Sequence, residues 1–262
     1  MNIKKFKQII WNYYRKNGRK LPWRQTRNPY KILVSEIMLQ QTQAPRVVPK
    51  YISFLKKFPN TATLAQAPFK NVLLEWQGLG YNRRALYLKQ TAEKIENDFN
   101  GKFTKDFKTL CSLPGIGPAT AGDILAFAWN IPTVVIETNI RSVFIHFFFN
   151  NTEKVSDKEI VPLIQKTLDT ENPREWYWAL FDYGAYLKET RNPSRQSKHY
   201  TKQSRFKGSN REKRSQILQL ILKKPRTETE LSKSLGYDAS ENLSAMQQEG
   251  LIRKSKNRFV IE

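Results

Sequence analysis

A glycine-rich segment at residues 113–122 (Leu-Pro-Gly-Ile-Gly-Pro-Ala-Thr-Ala-Gly) has the residue types of an anion-binding turn. Gly115 and Gly117 flank Ile116, and glycine tolerates a tight turn that leaves backbone N–H groups exposed. The apolar run 120–129 follows and predicts a helix that leaves this turn. Because a helix start carries free N–H groups and the positive end of the helix dipole, it can bind a phosphate without a side-chain charge. The alternative is an ordinary glycine–proline turn between two helices.

The charge of the chain indicates the same class of ligand. Lys and Arg number 45 against 23 Asp and Glu, which gives a formal net charge of +22. Such an excess favours a polyanionic partner. The cations are interleaved with 15 Phe, 11 Tyr and 6 Trp, and aromatic faces stack on bases, so nucleic acid is favoured over a membrane surface. A basic surface that only keeps the protein in solution is the weaker interpretation.

Cysteine content and hydropathy exclude several other classes. Cys111 is the single cysteine, so there is neither an intramolecular disulfide nor a cysteine-ligated cluster, and we interpret it as a small core residue. The first residues continue into an amphipathic helix without an apolar signal segment, and no apolar run could span a bilayer. We therefore expect a cytoplasmic protein that contacts no membrane.

Hydrophobic spacing predicts an all-α protein. The first predicted helix covers residues 3–17, and the second begins at Asn28-Pro29 and runs through Met38. The further predicted helices are 47–57, 63–67, 69–76, 83–99, 106–110, 120–129, 139–149, 156–168 and 173–187. The β-branched segment 133–136 is too short to distinguish a strand from other structure. Glu36 lies in the second helix, where a solvated charge on the polar face is the simplest interpretation.

The C-terminal part of the chain has a different organisation. Between Lys188 and Arg214 the helical pattern disappears among Lys, Arg, Ser, Asn and Gln, which predicts a basic loop or linker. We expect this loop to contact phosphate, and a solvated charge run without a ligand is the alternative. From Arg211 onward, three amphipathic helices and a β-hairpin predict a winged helix-turn-helix. Such a domain binds DNA in many proteins and serves as a protein-interaction module in others, so both roles stay open here. We expect a helical domain at 1–187, a linker at 188–210 and a winged helix at 211–262.

Four segments, one of them within the glycine-rich turn, carry a resemblance to a known family. They are residues 21–24 (Leu-Pro-Trp-Arg), 34–42 (Val-Ser-Glu-Ile-Met-Leu-Gln-Gln-Thr), 76–81 (Trp-Gln-Gly-Leu-Gly-Tyr) and 113–117 (Leu-Pro-Gly-Ile-Gly). In order and spacing they resemble the MutY-type adenine DNA glycosylases of the helix-hairpin-helix (HhH-GPD) superfamily. The resemblance implies a two-subdomain helical glycosylase fold for residues 1–187, with the hairpin at 113–122.

The resemblance also implies catalytic roles. Cleavage of an N-glycosidic bond needs a general acid for the departing base and a carboxylate that stabilises positive charge on the sugar. The first role would fall to Glu36, which would protonate adenine at N7. The second would fall to Glu137, with Asn139 as an orienting hydrogen-bonding group.

A second set of residues is implied to contact DNA. Gln41 would fill the base stack after a base is flipped, and Tyr81 would act as a wedge nearby. The expected DNA-binding residues are Gln40, Gln41, Thr42, Tyr81, Gly115, Gly117, Lys188, Arg195 and Lys198.

Three positions depart from the family pattern. Glu137 stands where the family has Asp, and the extra methylene moves the carboxylate by ~1.5 Å. Ala119 occupies the position of the Schiff-base lysine of bifunctional relatives, so no lyase step is expected there. Asn82 replaces the second tyrosine of the family's Gly-Tyr-Tyr segment, as in endonuclease III.

The family's metal and accessory domain are also expected to be absent. The ligand positions of its four-cysteine iron–sulfur cluster fall on Lys188, Arg195, Lys198 and Ser204, which cannot hold a cluster. We expect no metal or cofactor, and a loop that faces DNA through its charge. The C-terminal 8-oxoguanine-sensing domain is likewise not expected, and the winged helix stands in its place.

These observations predict a monofunctional, metal-free DNA glycosylase of base excision repair. It would act as a monomer on double-stranded DNA and excise a mispaired base, with adenine opposite 8-oxoguanine or guanine as the first choice. Other substrates stay open, namely thymine or uracil opposite guanine, or a deaminated purine. A DNA-binding protein that recognises lesions without cutting them is a further alternative, as is a transcription regulator that uses the winged helix.

Overall fold

The computed structural model describes residues 1–149 and 152–261, and its fold is almost entirely helical. The described α-helices are α1 (Ile3–Asn17), α2 (Pro29–Leu39), α3 (Ala44–Lys57), α4 (Thr61–Gln66), α5 (Phe69–Trp76), α6 (Arg83–Phe99), α7 (Phe107–Cys111), α8 (Pro118–Trp129), α9 (Thr138–Phe148), α10 (Asp157–Thr167), α11 (Pro173–Thr190), α12 (Asn210–Lys223), α13 (Glu228–Leu235) and α14 (Ser240–Gln248). Two 3₁₀ helices, Pro22–Gln25 and Pro193–Gln196, and the strands β1 (Arg253–Ser255) and β2 (Arg258–Val260) complete the elements. The predicted fold class is confirmed.

Side chains at the helix starts explain why many of these helices begin where the sequence predicts. Asn2 accepts a hydrogen bond from the amide of Lys4 at 2.8 Å. Asp106 accepts one from the amide of Thr109 at 2.7 Å. Such caps satisfy N–H groups that have no partner inside the helix, so the helix boundary is encoded locally.

The structure decides the segment 133–136, which the sequence left open, and corrects two local interpretations. Residues 133–136 form no strand: the amide of Val135 donates to the Tyr177 hydroxyl at 3.1 Å instead of to a neighbouring strand. Cys111 is only partly buried at the end of α7, so it is not a core residue. The sequence predicts Ser240 as the N-cap of the third helix of the winged helix, but Ser240 is the first residue of α14 and Ala239 occupies the N-cap position.

The basic loop also begins later than predicted, because α11 continues through Lys188 to Thr190. The helix ends where the amide of Arg191 donates to the Leu187 carbonyl at 2.8 Å and Asn192 adopts a left-handed φ of 47° before a proline. A proline cannot continue the helix, which fixes the end. Asn150 and Asn151 of the predicted helical domain, and Glu262 of the predicted winged helix, lie outside the described residues.

One compact unit is formed by residues 1–36, 105–112 and 116–202. Within it, α9 and α11 pack together, and α1 packs on α11. Fully buried aromatic rings fill this core: the Phe6 ring lies 5.3 Å from Phe144 and 6.1 Å from Trp176. The unit therefore fixes α9, whose first residues follow Glu137.

A second compact unit is formed by residues 37–104, 113–115 and 203–262. In this unit α4 and α5 pack on α6, and α3 packs on α5. The fully buried Trp76 ring lies 6.1 Å from Phe54, and the indole N–H donates to the Gly80 carbonyl at 3.1 Å. This contact ties the turn before α6 to the core of the unit.

The winged helix belongs to the second unit and has the predicted order of three helices and a hairpin. Thr227 and Glu230 form a reciprocal capping box at the start of α13. Strands β1 and β2 are antiparallel, with Lys254 opposite Phe259. An additional antiparallel bridge joins Arg226 to Phe259, which is buried.

No helix within the described ranges has the length and apolar character required to cross a lipid bilayer.

Candidate functional site

Glu36 is a buried acid near the end of α2. Its exposed fraction is 9%, so the solvated-charge interpretation is wrong. The pKa of Glu36 is raised to about 7, mainly because the side chain is buried. A hydrogen bond of 3.4 Å from the Ser35 hydroxyl and the positive charge of Arg24 oppose this rise. The negative charge of Glu137 adds to it. Because this pKa lies near neutral pH, a large fraction of Glu36 carries a proton there. That is the property of a general acid.

Glu137 is positioned by the start of α9, where it occupies the N-cap position. One carboxylate oxygen accepts a hydrogen bond from the amide of Ile140 at 2.8 Å, and the other accepts one from Asn139 Nδ2 at 3.2 Å. Burial raises the pKa of Glu137, while the hydrogen bonds from residues 139 and 140 and the cations Arg141 and Lys188 oppose the rise. These contacts hold the carboxylate in one orientation and favour its ionised form.

A third acid, Asp123, was not singled out by sequence reasoning. It lies on α8 with an exposed fraction of 6%, and its Oδ1 has no hydrogen-bond partner among the described residues. Burial and the negative charges of Glu36 and Glu137 hold the pKa of Asp123 well above its usual range. Burial and the neighbouring negative charges thus favour the protonated form of this carboxyl group. The sequence signal was an acid inside the apolar run 120–129.

Arg24, in the Leu-Pro-Trp-Arg segment, forms a buried ion pair with Asp182 on α11. The Arg24 guanidinium donates two hydrogen bonds of 2.8 Å to the carboxylate of Asp182. Arg19 adds a backbone hydrogen bond of 2.9 Å and a side-chain one of 2.5 Å. Burial alone would raise the pKa of Asp182, but these partners hold it below its usual range. The pair holds the Arg24 guanidinium in place, and the positive charge of this group lowers the pKa of Glu36.

The two hairpin glycines have different requirements. Gly115 has a left-handed φ of 73°, and a Cβ there would lie 2.8 Å from Cβ of Tyr87, so only glycine fits without a shift. Gly117 has an ordinary φ of −88°, is exposed and precedes Pro118, the first residue of α8. The exposed start of α8 provides the helix N-terminus that the sequence predicted.

The expected DNA-contacting residues of the second unit lie on two turns. Gln40 donates from Nε2 to the Gly115 carbonyl at 3.2 Å, whereas Gln41 is exposed with a left-handed φ of 56°. The Thr42 hydroxyl is 3.4 Å from the Leu79 carbonyl, to which it donates. The second turn ends at Tyr81, which also has a left-handed φ, of 48°.

Arg84 joins these two turns and was not recognised in the sequence. Its guanidinium is buried and donates hydrogen bonds to five backbone carbonyls and one hydroxyl. The acceptors are the carbonyls of Ile37 (2.8 Å), Met38 (2.8 Å), Gln40 (2.5 Å), Leu79 (3.2 Å) and Gly80 (3.0 Å), and Oγ1 of Thr42 (3.0 Å). Burial lowers the pKa of Arg84 to about 10, so it remains a cation at neutral pH. A cation at the C-terminal end of α2 also complements the helix dipole.

Tyr81 has partners from the C-terminal part of the chain. Arg84 and Arg211 lie 5.6 and 5.0 Å from the centre of its ring, and its hydroxyl accepts a hydrogen bond from Gln203 Nε2 at 2.5 Å. Sequence reasoning could not find these contacts, because about 120 residues separate Gln203 from Tyr81.

The segment that would hold an iron–sulfur cluster in the resembling family offers no suitable ligands. Cys111 is the only thiol of the chain, and none of the four ligand positions is a cysteine. Within the described ranges, no group of three or more His, Cys, Asp or Glu side chains is arranged to bind a metal ion. These residues do not fit the cluster.

Backbone hydrogen bonds hold this segment instead. Val155 and Ser197 form a parallel bridge, in which the amide of Val155 donates to the Gln196 carbonyl and the amide of Lys198 donates to the Val155 carbonyl, both at 2.9 Å. Lys188, Arg195 and Lys198 are exposed. The segment thus presents cations on an ordered backbone.

Comparisons with known proteins indicate the family of the chain. Residues 34–166 match the family described as HhH-GPD superfamily base excision DNA repair protein. The chain is 41% identical over 193 residues to an adenine DNA glycosylase of Buchnera aphidicola subsp. Baizongia pistaciae, which covers 72% of this chain and 54% of that protein. It is 35% identical to the protein of the same name from Buchnera aphidicola subsp. Schizaphis graminum, over 74% of this chain and 57% of that protein. The chain therefore spans a little over half the length of these relatives.

A solved structure of a thermostable thymine-DNA glycosylase is similar with a TM-score of 0.65 and 26% identity, over 73% of this chain and 90% of that one. An endonuclease III–DNA complex has the same fold, with a TM-score of 0.62 and 17% identity over 74% of this chain and 90% of that one. Together with the family match, these comparisons establish that the chain belongs to the HhH-GPD superfamily of base excision DNA repair proteins.

Proposed function

We propose that this protein is a monofunctional DNA glycosylase that excises adenine opposite 8-oxoguanine or guanine. The observation that carries the proposal is Glu36, a buried carboxyl group whose pKa is raised to about 7. A general acid is most effective when its pKa lies near the working pH. The names of the relatives, which are adenine DNA glycosylases at 35–41% identity, favour adenine as the base.

In the proposed reaction, Glu36 delivers its proton to N7 of the extruded adenine, which makes the base a better leaving group. Positive charge then develops on the sugar, and the ionised Glu137 stabilises it. The hydrogen bonds from Asn139 and Ile140 support this role, because they orient the carboxylate before the reaction begins. Water completes the hydrolysis and leaves an abasic site.

The proposed DNA contacts involve the hairpin, two turns and the basic segment. The start of α8 after Gly117 would bind a backbone phosphate. Gln41 is exposed with a left-handed φ, which suits insertion into the stack, and Tyr81 would act as the wedge. Gln40 and Thr42 would position the Gln41 turn.

Exposed cations would add backbone contacts. Replacement of Lys188, Arg195 and Lys198 by Ala is expected to weaken binding to matched and mismatched duplexes equally. The slope of log K against log salt should fall by up to ~3 units if all three touch phosphate.

The proposed enzyme acts as a monomer and needs no metal. Ala119 cannot form a Schiff base, so the abasic product should stay intact until alkali is added. No step of the proposed chemistry requires electron transfer. The iron–sulfur cluster of related enzymes is therefore not part of the proposed mechanism.

A second candidate is a glycosylase for thymine or uracil opposite guanine. The 26% identity to a thymine-DNA glycosylase structure favours it. The third carboxyl group, Asp123, supports it as well, because a neutral acid offers both a hydrogen-bond donor and an acceptor to a base.

One experiment separates these candidates. Labelled duplexes with adenine opposite 8-oxoguanine or guanine, thymine or uracil opposite guanine, and hypoxanthine opposite thymine are incubated with excess protein and then treated with alkali. Strand cleavage confined to the adenine duplexes is expected, with Glu36→Gln protein as the inactive control. Cleavage confined to the thymine or uracil duplexes would support the second candidate, and tight binding without any cleavage would support a non-catalytic lesion-binding protein.

A further inference from the structure

The third helix of the winged helix, α14, offers little to a DNA phosphate. Residues 240–248 contain no Lys or Arg, and Glu241 is exposed. In a helix-turn-helix protein the recognition helix lies in the major groove, next to a strongly negative backbone. An uncharged or acidic helix surface is poorly suited to that position.

The end of α14 is also engaged with the same chain. Glu249 forms an ion pair of 2.6 Å with Arg83, the first residue of α6, and a second ion pair with Arg214 on α12. A Cβ at Gly250 would lie 3.6 Å from a methyl carbon of Leu86 on α6. The C-terminal end of α14 is therefore held on α6, which begins two residues after the proposed wedge Tyr81.

The hairpin of β1 and β2, unlike α14, carries exposed lysines. Lys256 and Asn257 form its turn with left-handed φ values of 45° and 64°, and both are exposed. Lys254 and Lys256 are exposed, and Nζ of Lys254 lies 5.8 Å from the centre of the Phe259 ring. The amide of Phe259 on β2 donates a hydrogen bond of 2.7 Å to the Arg226 carbonyl, and the amide of Arg226 donates one of 3.4 Å to the Phe259 carbonyl.

This pairing brings the end of α12 beside the hairpin, because Lys223 and Lys224 precede Arg226 by only a few residues. Both lysines are exposed. We call Lys223, Lys224, Lys254 and Lys256 the wing surface. None of the four forms an ion pair with any other residue that the structure describes.

We propose that the winged helix binds duplex DNA through the phosphate contacts of the wing surface and not through α14. The proposal rests on the function proposed above, and it assigns a role to a domain that the catalytic chemistry does not use. Lysine is a point charge that contacts phosphate without reading sequence, so the domain adds affinity and not base specificity.

The chemistry of the hairpin favours duplex over single-stranded DNA. Proteins that bind single strands stack the bases on exposed aromatic rings. Phe259 is the only aromatic residue of the hairpin, and its exposed fraction is 3%. The wing surface therefore offers charge without a stacking platform.

The test compares a variant with Lys254→Gln and Lys256→Gln to the unmodified protein. Binding to an undamaged duplex is measured by fluorescence anisotropy over a series of salt concentrations. The slope of log K against log salt should decrease by up to ~1.8 if both lysines touch phosphate. Under saturating protein, the rate of base excision should stay unchanged.

Two matched variants serve as controls. Lys158→Gln with Lys166→Gln removes two exposed charges from α10 and should leave the slope unchanged. Ser244→Ala with Gln247→Ala alters two exposed residues of α14 and should leave affinity unchanged. All of the replaced side chains are on the surface, so folding should be retained, and thermal unfolding checks this.

The outcomes distinguish the two proposals. If the unmodified protein binds and excises but the wing variant keeps the full slope, the wing inference is overturned and the proposed function stands. A loss of affinity in the α14 variant would also overturn it. If the unmodified protein binds no duplex DNA, the proposed function itself fails.

Discussion

Asn139 Nδ2 donates a hydrogen bond of 3.2 Å to one carboxylate oxygen of Glu137, while the backbone amide of Ile140 donates one of 2.8 Å to the other. The longer side chain of Glu137 is thus folded back onto the start of α9. A carboxylate held on both oxygens has little freedom to move. Asn139 and Ile140 therefore fix the position of the Glu137 carboxylate.

Glu137→Asp should therefore slow base excision although the charge is kept. Removal of one methylene withdraws the carboxylate by ~1.5 Å, and a displacement of about 1 Å at a catalytic group costs roughly 100-fold in rate. Single-turnover excision and binding to a mismatched duplex are measured, with binding expected to be unchanged. A faster Glu137→Asp enzyme would contradict the proposed position of the carboxylate.

Glu36→Gln should abolish base release and leave mismatch binding largely intact, because the amide keeps the shape but delivers no proton. The unmodified protein should also lose activity as the pH rises through about 7, since the acid acts in its protonated form and its pKa is raised to about 7. Single-turnover rates between pH 5.5 and 9 test this. A rate that is constant above pH 7 would remove Glu36 from the role of general acid.

The same pKa predicts how folding stability depends on pH. The folded state keeps the Glu36 proton up to about pH 7, whereas the unfolded chain releases it near the ordinary value of 4.5. The stability is therefore full below pH 4.5 and declines as the pH rises to about 7, by about 3 kcal/mol from this group. Urea unfolding should show that the free energy of unfolding of Glu36→Gln protein rises relative to that of the unmodified protein as the pH increases over this interval. Above the interval the difference between the two proteins should be constant. An equal pH dependence of the two proteins would contradict the assignment.

Asp123→Asn tests whether this buried acid is neutral. If Asp123 keeps its proton over the pH range of the assay, the form that its raised pKa favours, the amide replaces a neutral group and leaves the pH midpoint of excision unchanged. If Asp123 were ionised, its removal would lower the pKa of Glu36 and shift the midpoint to lower pH. The pH–rate profile of the variant therefore decides between the two states.

Purified protein should be colourless, contain no iron and unfold at the same temperature with and without a chelator. The expected ligand positions hold Lys188, Arg195, Lys198 and Ser204, and backbone pairing of Val155 with Ser197 holds the segment instead. Elemental analysis and thermal unfolding check this. Iron at a stoichiometric level would overturn the expectation.

Much of the fold could be predicted because its signals are local. The ends of α1, α5 and α6 agree with hydrophobic spacing, and the capping box at Thr227 marks the start of α13. The need for glycine at position 115 follows from its left-handed φ in a short turn. Such features depend on residues a few positions apart, which a sequence displays directly.

The candidate site was only partly predictable. Segments containing Glu36 and Glu137 could be recognised. The apolar character of α2 on nearly all sides was a sequence signal that Glu36 is buried. The raised pKa of Glu36 could not be predicted, because Arg24 and Glu137 contribute to it and are distant in sequence. The acid Asp123, the Arg24–Asp182 pair and the contacts of Arg84 and Arg211 with Tyr81 emerged only from the structure.

The sequence by itself determined the helices, their caps and the types of residue available for chemistry. The tertiary structure decided which carboxyl groups lose water and which cations reach them. The reason is physical: a pKa depends on the solvent and charge around a group, and chain segments more than a hundred residues apart supply that environment.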